Sequence, residues 1–268
     1  MKLPDTEAGS VHLRVPPVGL SHEVAHANAA IPMAAMHVAD KTPADNFLLA
    51  ALPRKDYRHL IDDLEQVTLT YGEVLYEPGE QIKHVYFPND SVVSLLTLVD
   101  QHRALEVGLV GREGIVGIPL ALGISISPVR ALVQGTGTAM RMNAASFIKE
   151  LRQSHALQRA LHRYTYSLMA QITQTAACNR FHVIEARLAR WLLMTHDRVQ
   201  SGAFRLTQEF LAQMLGVRRV GVTKAARTLQ QDGLISYSRG NITILDRKGL
   251  EAASCSCYEI VRDMHAAA

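Results

Sequence analysis

The chain has 268 residues, of which 48% are hydrophobic, and its formal net charge is +3. This length can bury one large or two modest cores, and the composition excludes a wholly disordered chain or an overall polycation. Residues 114–129 form one of the longest uncharged stretches, which is too short and too broken by proline to span a bilayer. No continuous apolar run follows Met1, and the three cysteines suit a reducing compartment, so we expect a cytoplasmic protein.

The first part of the chain divides near residue 45. Residues 1–44 are rich in Ala, His, Pro and Val without a sustained period, which indicates a flexible tail. From Asn46 onwards apolar residues recur at helical spacing, and Pro53 interrupts them. The pattern predicts a pair of short helices.

Residues 67–142 favour β structure. Short apolar runs at 67–69, 84–87 and 92–96 are separated by turn residues such as Gly72 and Gly79. Many short antiparallel strands at this spacing predict a sandwich or jelly roll.

Residues 144–199 favour helix and carry one apolar stripe. The stripe runs through Leu157, Leu161, Tyr164, Leu168, Gln171, Thr175 and Cys178. Its spacing suits a coiled-coil contact between two chains, which is the interpretation that we favour. The alternative is a helix packed on its own β domain, and the polar second half of the stripe supports it.

The sequence after residue 200 predicts two helices and a hairpin. Thr207 can cap a first helix, Gly216 ends it, and a second helix follows from about Arg218 to Gln231. Runs at 234–237 and 242–245 then flank the turn Arg239-Gly240-Asn241. Helix, turn, helix and hairpin is the order of a winged helix-turn-helix, and we expect a short final helix lying on it.

The charge of this region favours a nucleic-acid partner. Residues 202–248 contain eight basic and three acidic side chains, a net charge of +5 that leaves −2 for the remainder. Arginine near the start of a recognition helix can bind guanine through two hydrogen bonds, whereas other cations would contact phosphates. The predicted DNA-contacting residues are Thr207, Arg218, Arg219, Thr223, Lys224, Arg227 and Arg239. The alternative is a solvated basic helix in an all-α domain.

Residues 46–250 resemble the Crp/Fnr transcription regulators. The resemblance is most specific in residues 206–219, LTQEFLAQMLGVRR, and looser in residues 72–79, GEVLYEPG. It implies an α+β fold with an N-terminal jelly-roll (double-stranded β-helix) sensor domain, a long dimerisation helix and a C-terminal winged helix-turn-helix. The expected division is a tail (1–44), a cyclic-nucleotide-binding-like β-roll (45–150), a dimerisation helix with linker (151–200) and a DNA-binding domain with a C-terminal helix (201–268).

The resemblance also implies partners and site residues. It predicts a homodimer on a palindromic operator in double-stranded DNA, with RNA polymerase as a candidate further partner. Positions matching Arg219, Val220 and Lys224 would face the bases and nearby phosphates. Well-known family members carry an acidic residue where this chain has Val220, and valine cannot accept a hydrogen bond from cytosine. We therefore do not expect their familiar half-site.

The predicted effector pocket departs from the family's nucleotide binders. The segments that would hold ribose and cyclic phosphate correspond to Gly117, Ile118, Arg130 and Ala131. Arg130 can pair with a phosphate or lie at the surface of a strand edge. Because Ile118 cannot accept a hydrogen bond from a ribose hydroxyl, we expect no cyclic-nucleotide effector and assign no cofactor.

The three cysteines are not predicted to bind metal. Cys255 and Cys257 are too few, with no histidine at zinc-finger spacing, and the tail lacks the cysteines of an iron–sulfur site. Cys178 lies on the proposed dimer stripe, where a redox bridge between two chains competes with a buried inert thiol, which we favour.

The sequence predicts a binding protein and not an enzyme. It contains no glycine-rich phosphate loop, nucleophile elbow or paired His-Glu metal motif. We expect a dimeric, sequence-specific transcription regulator. The alternative is a cyclic-nucleotide or small-molecule receptor module that acts on a protein partner.

Overall fold

The computed structural model describes residues 45–100, 103–199 and 203–267; the tail expected at 1–44 lies outside them. The N-terminal elements are α1 (Phe47–Ala50), α2 (Arg54–Ile61), β1 (Glu65–Leu69), β2 (Val74–Tyr76), β3 (His84–Pro88), β4 (Val92–Leu98), β5 (Ala104–Val110), a 3₁₀ helix (Ile118–Leu122), β6 (Arg130–Gly135) and β7 (Gly137–Asn143). The remaining elements are α3 (Ala144–Gln153), α4 (His155–Phe181), α5 (Ile184–His196), β8 (Ala203–Arg205), α6 (Gln208–Leu215), α7 (Arg219–Gln231), β9 (Ile235–Ser238), β10 (Asn241–Ile244), α8 (Arg247–Ala253) and α9 (Cys257–Ala267).

Strands β1–β7, which we call the β-roll, form two antiparallel sheets. One has the order β1-β7-β3 and the other β2-β6-β4-β5. Their fully buried residues include Phe87, Val93, Val133 and Met142, so the strands enclose one apolar core. The predicted jelly-roll-like domain is confirmed, and so are the three strands recognised in the sequence.

The two short helices predicted after Asn46 are also confirmed. Asn46 is fully buried, and its Oδ1 accepts hydrogen bonds from the backbone N–H groups of Leu48 and Leu49 at 3.1 and 3.2 Å. Its Nδ2 donates to the carbonyls of Pro88 and Gly114, both at 2.9 Å. One side chain therefore caps α1 and fastens it to the β-roll.

The helical region at 144–199 consists of three helices. Ser154 is the N-cap of α4 and accepts a hydrogen bond from the N–H of Leu157 at 3.0 Å. The helix ends at Phe181, and His182 is its C-cap. No described helix is both long enough and apolar enough to cross a membrane.

The apolar stripe of α4 faces its own β-roll. Leu157, Leu161 and Leu168 are buried within the single chain and belong to the β-roll core. Gln171 belongs to the same stripe and is buried although it is polar. Its Oε1 accepts a hydrogen bond from Leu109 N at 2.5 Å, and its Nε2 donates one to Leu109 O at 3.3 Å. The favoured dimer interpretation of this stripe was wrong, and the alternative of intrachain packing holds.

The C-terminal half packs directly on the β-roll. Leu96 and Leu109 share a core with Trp191 and Leu192 of α5 and with residues of α6. The expectation of one short final helix on the winged domain is corrected, because the segment forms α8 and α9 and α9 lies mainly along α4. There, Gln171 Nε2 is 3.3 Å from His265 Nε2.

Candidate nucleic-acid interface

The first helix of the predicted motif begins and ends as its sequence indicates. Thr207 Oγ1 accepts a hydrogen bond from Phe210 N at 3.1 Å, and this cap leaves the exposed hydroxyl free to donate. Gly216 ends α6 with a left-handed φ of 61°, a conformation that glycine adopts without steric cost. Val217 then turns inward, with its N–H donating to Ala212 O at 2.9 Å.

The second helix divides into a buried and an exposed face. Val222, Ala225 and Leu229 are buried in the C-terminal core. Gly221 lets α7 approach α5 closely, because a Cβ there would lie 2.9 Å from Ile184 Cδ1. The opposite face, which we call the basic face, exposes Arg218, Arg219, Val220, Lys224 and Arg227.

The basic face is available to a ligand. Arg218 is the N-cap residue of α7 but makes no side-chain capping bond, and Val220 is 60% exposed. None of the ion pairs found within residues 45–100, 103–199 and 203–267 engages a cation of this face. A row of exposed unpaired cations at the start of a helix can bind an anionic duplex.

Thr223 lies on α7, as predicted, but its hydroxyl has partners within the chain. It is half-buried, and its hydroxyl lies 2.7 Å from Gln208 Oε1 and 3.0 Å from Arg219 O. The hydroxyl therefore fastens α7 to the start of α6 and is less free to contact DNA than the sequence suggests.

The hairpin is a two-residue turn between β9 and β10. Ser238 pairs with Asn241, so Asn241 belongs to β10 and not to the turn. Arg239 and Gly240 have φ values of 49° and 82°, as a type I′ turn requires. Arg239 thus projects from the tip of the wing.

A third strand, β8, was not foreseen. It pairs with β10 and places Arg205 opposite Asn241, so Arg205 is a further exposed cation beside the wing. Three residues are too few for a periodic signal in the sequence.

Tyr237 of β9 ties the wing to the start of α6. Burial raises the pKa of Tyr237, and its protonated hydroxyl donates a hydrogen bond to Leu206 O at 2.9 Å.

Not every cation of the basic segment faces solvent. Arg247 Nη2 lies 2.7 Å from Asp197 Oδ1, and Arg247 Nε lies 3.0 Å from Glu251 Oε1. The same guanidinium donates to the hydroxyl of Tyr258 at 2.8 Å. Arg247 therefore joins α5, α8 and α9 and does not belong to the basic face.

The four residues of the predicted effector pocket have separate environments. Arg130 Nε pairs with Glu77 Oε2 at 2.8 Å, and Ala131 is fully buried in β6. Gly117 precedes the 3₁₀ helix with φ 104°, and Ile118 packs partly against the core. A cavity of about 310 Å³ lies beside them, lined by Leu75, Tyr76, Glu80, Gln81, Lys83, His84 and Tyr86. Tyr76 pairs with Ala131 across β2 and β6, although none of the four predicted residues lines the cavity itself.

One group of side chains has the chemistry of a metal site. Cys178, His182, Cys255 and Cys257 converge, although they are far apart in sequence. The sequence predicts no metal site because no histidine stands at zinc-finger spacing from Cys255 and Cys257 along the chain. That reason does not hold, because the fold brings His182 beside the two cysteines. Cys178 also lies away from the exposed face of α4, with its Sγ 3.4 Å from Cys255 Sγ of the same chain.

A capped helix, a tight turn, a basic second helix and a wing define a winged helix-turn-helix DNA-binding domain, here joined to a β-roll through a long helix. Residues 186–253 match the family model described as the Crp-like helix-turn-helix domain. No curated protein sequence gives a significant match.

Solved structures share the fold over most of this chain. FixK2 from Bradyrhizobium japonicum is 16% identical, with a TM-score of 0.60 over 72% of this chain and 98% of its own. The c-di-GMP-responsive global regulator CLP from Xanthomonas campestris is 16% identical, with a TM-score of 0.59 over 72% and 100%. A CRP-family transcriptional regulator from Thermus thermophilus is 19% identical, with a TM-score of 0.59 over 70% and 96%. Residues 186–253 therefore form a Crp-like helix-turn-helix domain, and the described part of the chain shares its fold with solved transcription regulators of the Crp/Fnr family.

Proposed function

We propose that the chain acts as a homodimer that binds a palindromic operator through α7 and the wing, and that its β-roll responds to an effector other than a cyclic nucleotide. The observation that carries the proposal is the basic face, with exposed Arg218, Arg219 and Val220 together at the start of α7. A recognition helix enters the major groove by this end.

Each side chain has a distinct role in this arrangement. Arg218 and Arg219 can each offer two donors to guanine O6 and N7, and exposed Val220 can contact a thymine methyl group. Lys224, Arg227 and Arg239 contact phosphates, joined by the hydroxyl of Thr207. Direct base contacts thus come from the first turn, while the rest of α7 and the wing supply affinity and orientation.

The exposed side of α4 supports dimer formation. A stripe with alternating steps of three and four residues runs along it, which we call the outer stripe: Arg159, His162, Tyr166, Met169, Thr173, Ala176 and Arg180. Its central members are large and open, since Tyr166 is 64% and Met169 63% exposed. This is the period of a two-stranded coiled coil, so a second copy of α4 is the partner that it fits.

Two contacts argue against a cyclic-nucleotide effector. Ile118 offers no acceptor for a ribose hydroxyl. The guanidinium of Arg130 is already paired with Glu77 at 2.8 Å, so a cyclic phosphate would have to displace a carboxylate.

The test is selection of bound sequences from a random duplex pool by the purified full chain. We expect enrichment of a two-fold symmetric site whose half-sites lie about 10–10.5 base pairs apart, because a symmetric dimer reads successive major grooves. Enrichment of a single half-site would contradict the dimer. No enrichment at all would favour a receptor module that acts on a protein partner. In parallel, calorimetric titration with cyclic AMP and cyclic GMP should give no binding heat.

A further inference from the structure

Four potential metal ligands meet at the end of α4. The Sγ atoms of Cys178, Cys255 and Cys257 and a ring nitrogen of His182 all lie within 4.8 Å of one another. Cys178 Sγ is 3.4 Å from Cys255 Sγ, and Cys257 Sγ is 3.4 Å from His182 Nδ1. A tetrahedral zinc with Zn–S distances of about 2.3 Å needs sulfurs about 3.8 Å apart, so small side-chain adjustments would seat the ion.

The cluster is enclosed and not a chance surface grouping. Cys178 and Cys257 are fully buried, Cys255 is 7% exposed, and His182 is half-buried. With four protein ligands, no coordination position is left for substrate, which is the pattern of structural zinc sites. All three cysteines of the chain take part.

The surroundings suit a metal held by thiolates. Gln174 Nε2 lies 3.0 Å from Cys257 Sγ and can donate a hydrogen bond to it, the kind of outer contact that orients a ligand. Two cations lie near the sulfurs, since Arg190 interacts electrostatically with Cys178, and Arg187 with both Cys178 and Cys255. Three thiolates and Zn²⁺ carry a formal charge of about −1, which these arginines offset.

We propose that Cys178, His182, Cys255 and Cys257 bind one Zn²⁺ ion as a three-cysteine, one-histidine structural site. Two ligands come from α4 and its C-terminal cap, and two come from the segment that opens α9. The ion fastens the last helix of the chain to the long helix.

The position of the site connects it with the DNA-binding domain. His182 is the C-cap of α4 and Val183 is the N-cap of α5, so the site lies at the junction of these helices. Arg187 of α5 donates both to Asn179 Oδ1 at 2.7 Å and to the carbonyl of Leu215, the last residue of α6. Zinc loss should therefore loosen the junction that supports the helix-turn-helix.

The experiment measures metal directly on the full chain purified under reducing conditions. Mass spectrometry of the elements should find about one zinc per chain. Replacement by Co²⁺ should produce thiolate-to-cobalt charge-transfer absorption, because Co²⁺ accepts the same tetrahedral set. Cys257→Ser and His182→Ala should reduce zinc content by at least about tenfold. The matched variants Ser256→Ala, next to a ligand, and His59→Ala, at an exposed histidine of α2, should retain it.

A loss of zinc in a variant could also result from misfolding. The unaltered chain is therefore also treated with increasing concentrations of a chelator, and its Tm is measured. Removing zinc should lower Tm by about 5 °C or more, and adding Zn²⁺ should restore it. Protein that holds no zinc and shows no cobalt spectrum after Co²⁺ addition overturns the proposal. A Cys178–Cys255 disulfide found as the resting form in reduced preparations overturns it as well, because the ligands would then be consumed.

Discussion

The indole N–H of Trp191 on α5 donates a hydrogen bond to Glu106 Oε1 on β5 at 2.8 Å. The other oxygen of Glu106 meets Ser94 Oγ at 2.7 Å, and the carboxyl is 7% exposed. Burial raises the pKa of Glu106 to about 7, although the hydrogen bonds from Ser94 and Trp191 and the charges of Arg190 and Arg198 oppose the shift. A titratable group thus lies between the β-roll and the helix that supports the DNA-binding domain.

A neutral Glu106 gives this contact a consistent direction of hydrogen bonding. The protonated acid donates to Ser94 Oγ, and Ser94 then donates to Gln134 Oε1 at 2.6 Å. Gln134 Nε2 continues the chain to Thr195 Oγ1 at 3.2 Å on α5. An ionised Glu106 competes with Gln134 for the single hydroxyl proton of Ser94.

We predict that the folded chain loses stability as pH rises from about 4.5 to about 7. Because the folded pKa of Glu106 is raised, its contribution is fully present below the unfolded pKa and is lost as pH passes the folded pKa. The loss is on the order of 3 kcal/mol, and Glu106→Gln, which resembles the neutral acid, should remove it. Urea unfolding at several pH values, followed by the fluorescence of the single tryptophan, measures it.

Glu259→Gln is the matched control, since Glu259 is exposed on α9. It should unfold with the same pH dependence as the unaltered chain. Equal pH dependence in Glu106→Gln and the unaltered chain would refute the assignment of the effect to Glu106.

The sequence predicted best what short segments determine. Thr207, Gly216 and the Arg239-Gly240 turn are recognisable because capping and positive φ depend on neighbouring residues. The two stripes of α4 show where periodicity fails, because steps of three and four residues do not tell a face that packs on its own domain from a face that is exposed. From the sequence, the apolar stripe is the predicted dimer contact. The structure buries that stripe within the chain and leaves the outer stripe exposed to solvent.

Contacts between segments that are distant along the chain could not be predicted from the sequence. Cys178 and Cys255 stand 77 positions apart, and Glu106 and Trp191 stand 85 apart. Their meeting depends on how α9 and α5 pack on the β-roll and α4. A single sequence without its fold contains no local signal of such pairs.

We predict that charge in the outer stripe prevents dimer formation. Tyr166→Glu combined with Met169→Glu places like charges opposite each other in a parallel pair, where apolar side chains should pack. The chain should sediment as a monomer at micromolar concentration and bind a single half-site at least tenfold more weakly than the dimer binds the full operator.

The control for this pair is Leu122→Glu, which alters a similarly exposed apolar residue, 57% exposed, outside α4. It should remain dimeric. A dimer that persists in the double variant would place the interface on another surface.

Val220 is predicted to read thymine. Val220→Glu replaces an apolar contact with an acceptor, so the base preferred at the contacted position should change from thymine to cytosine. Val220→Ile keeps the apolar contact and should retain thymine. Repeating the sequence selection with both variants measures the change. An unaltered preference in Val220→Glu would show that this side chain does not reach a base.

We predict that alanine at position 219 and alanine at position 224 reduce DNA binding in different ways. Arg219→Ala should cost about 1–3 kcal/mol on the selected operator and relax preference at one position of each half-site, because a bidentate contact to guanine is lost. Lys224→Ala should weaken binding to all sequences alike and reduce the salt dependence by about one unit of slope per chain. Fluorescence anisotropy across a salt series separates the two effects.

The control is Arg58→Ala, at an exposed arginine on α2, which should change neither the base preference nor the salt dependence. If both variants lost only salt dependence, α7 would contact the backbone alone, and base recognition would have to come from Arg218, Val220 or the wing.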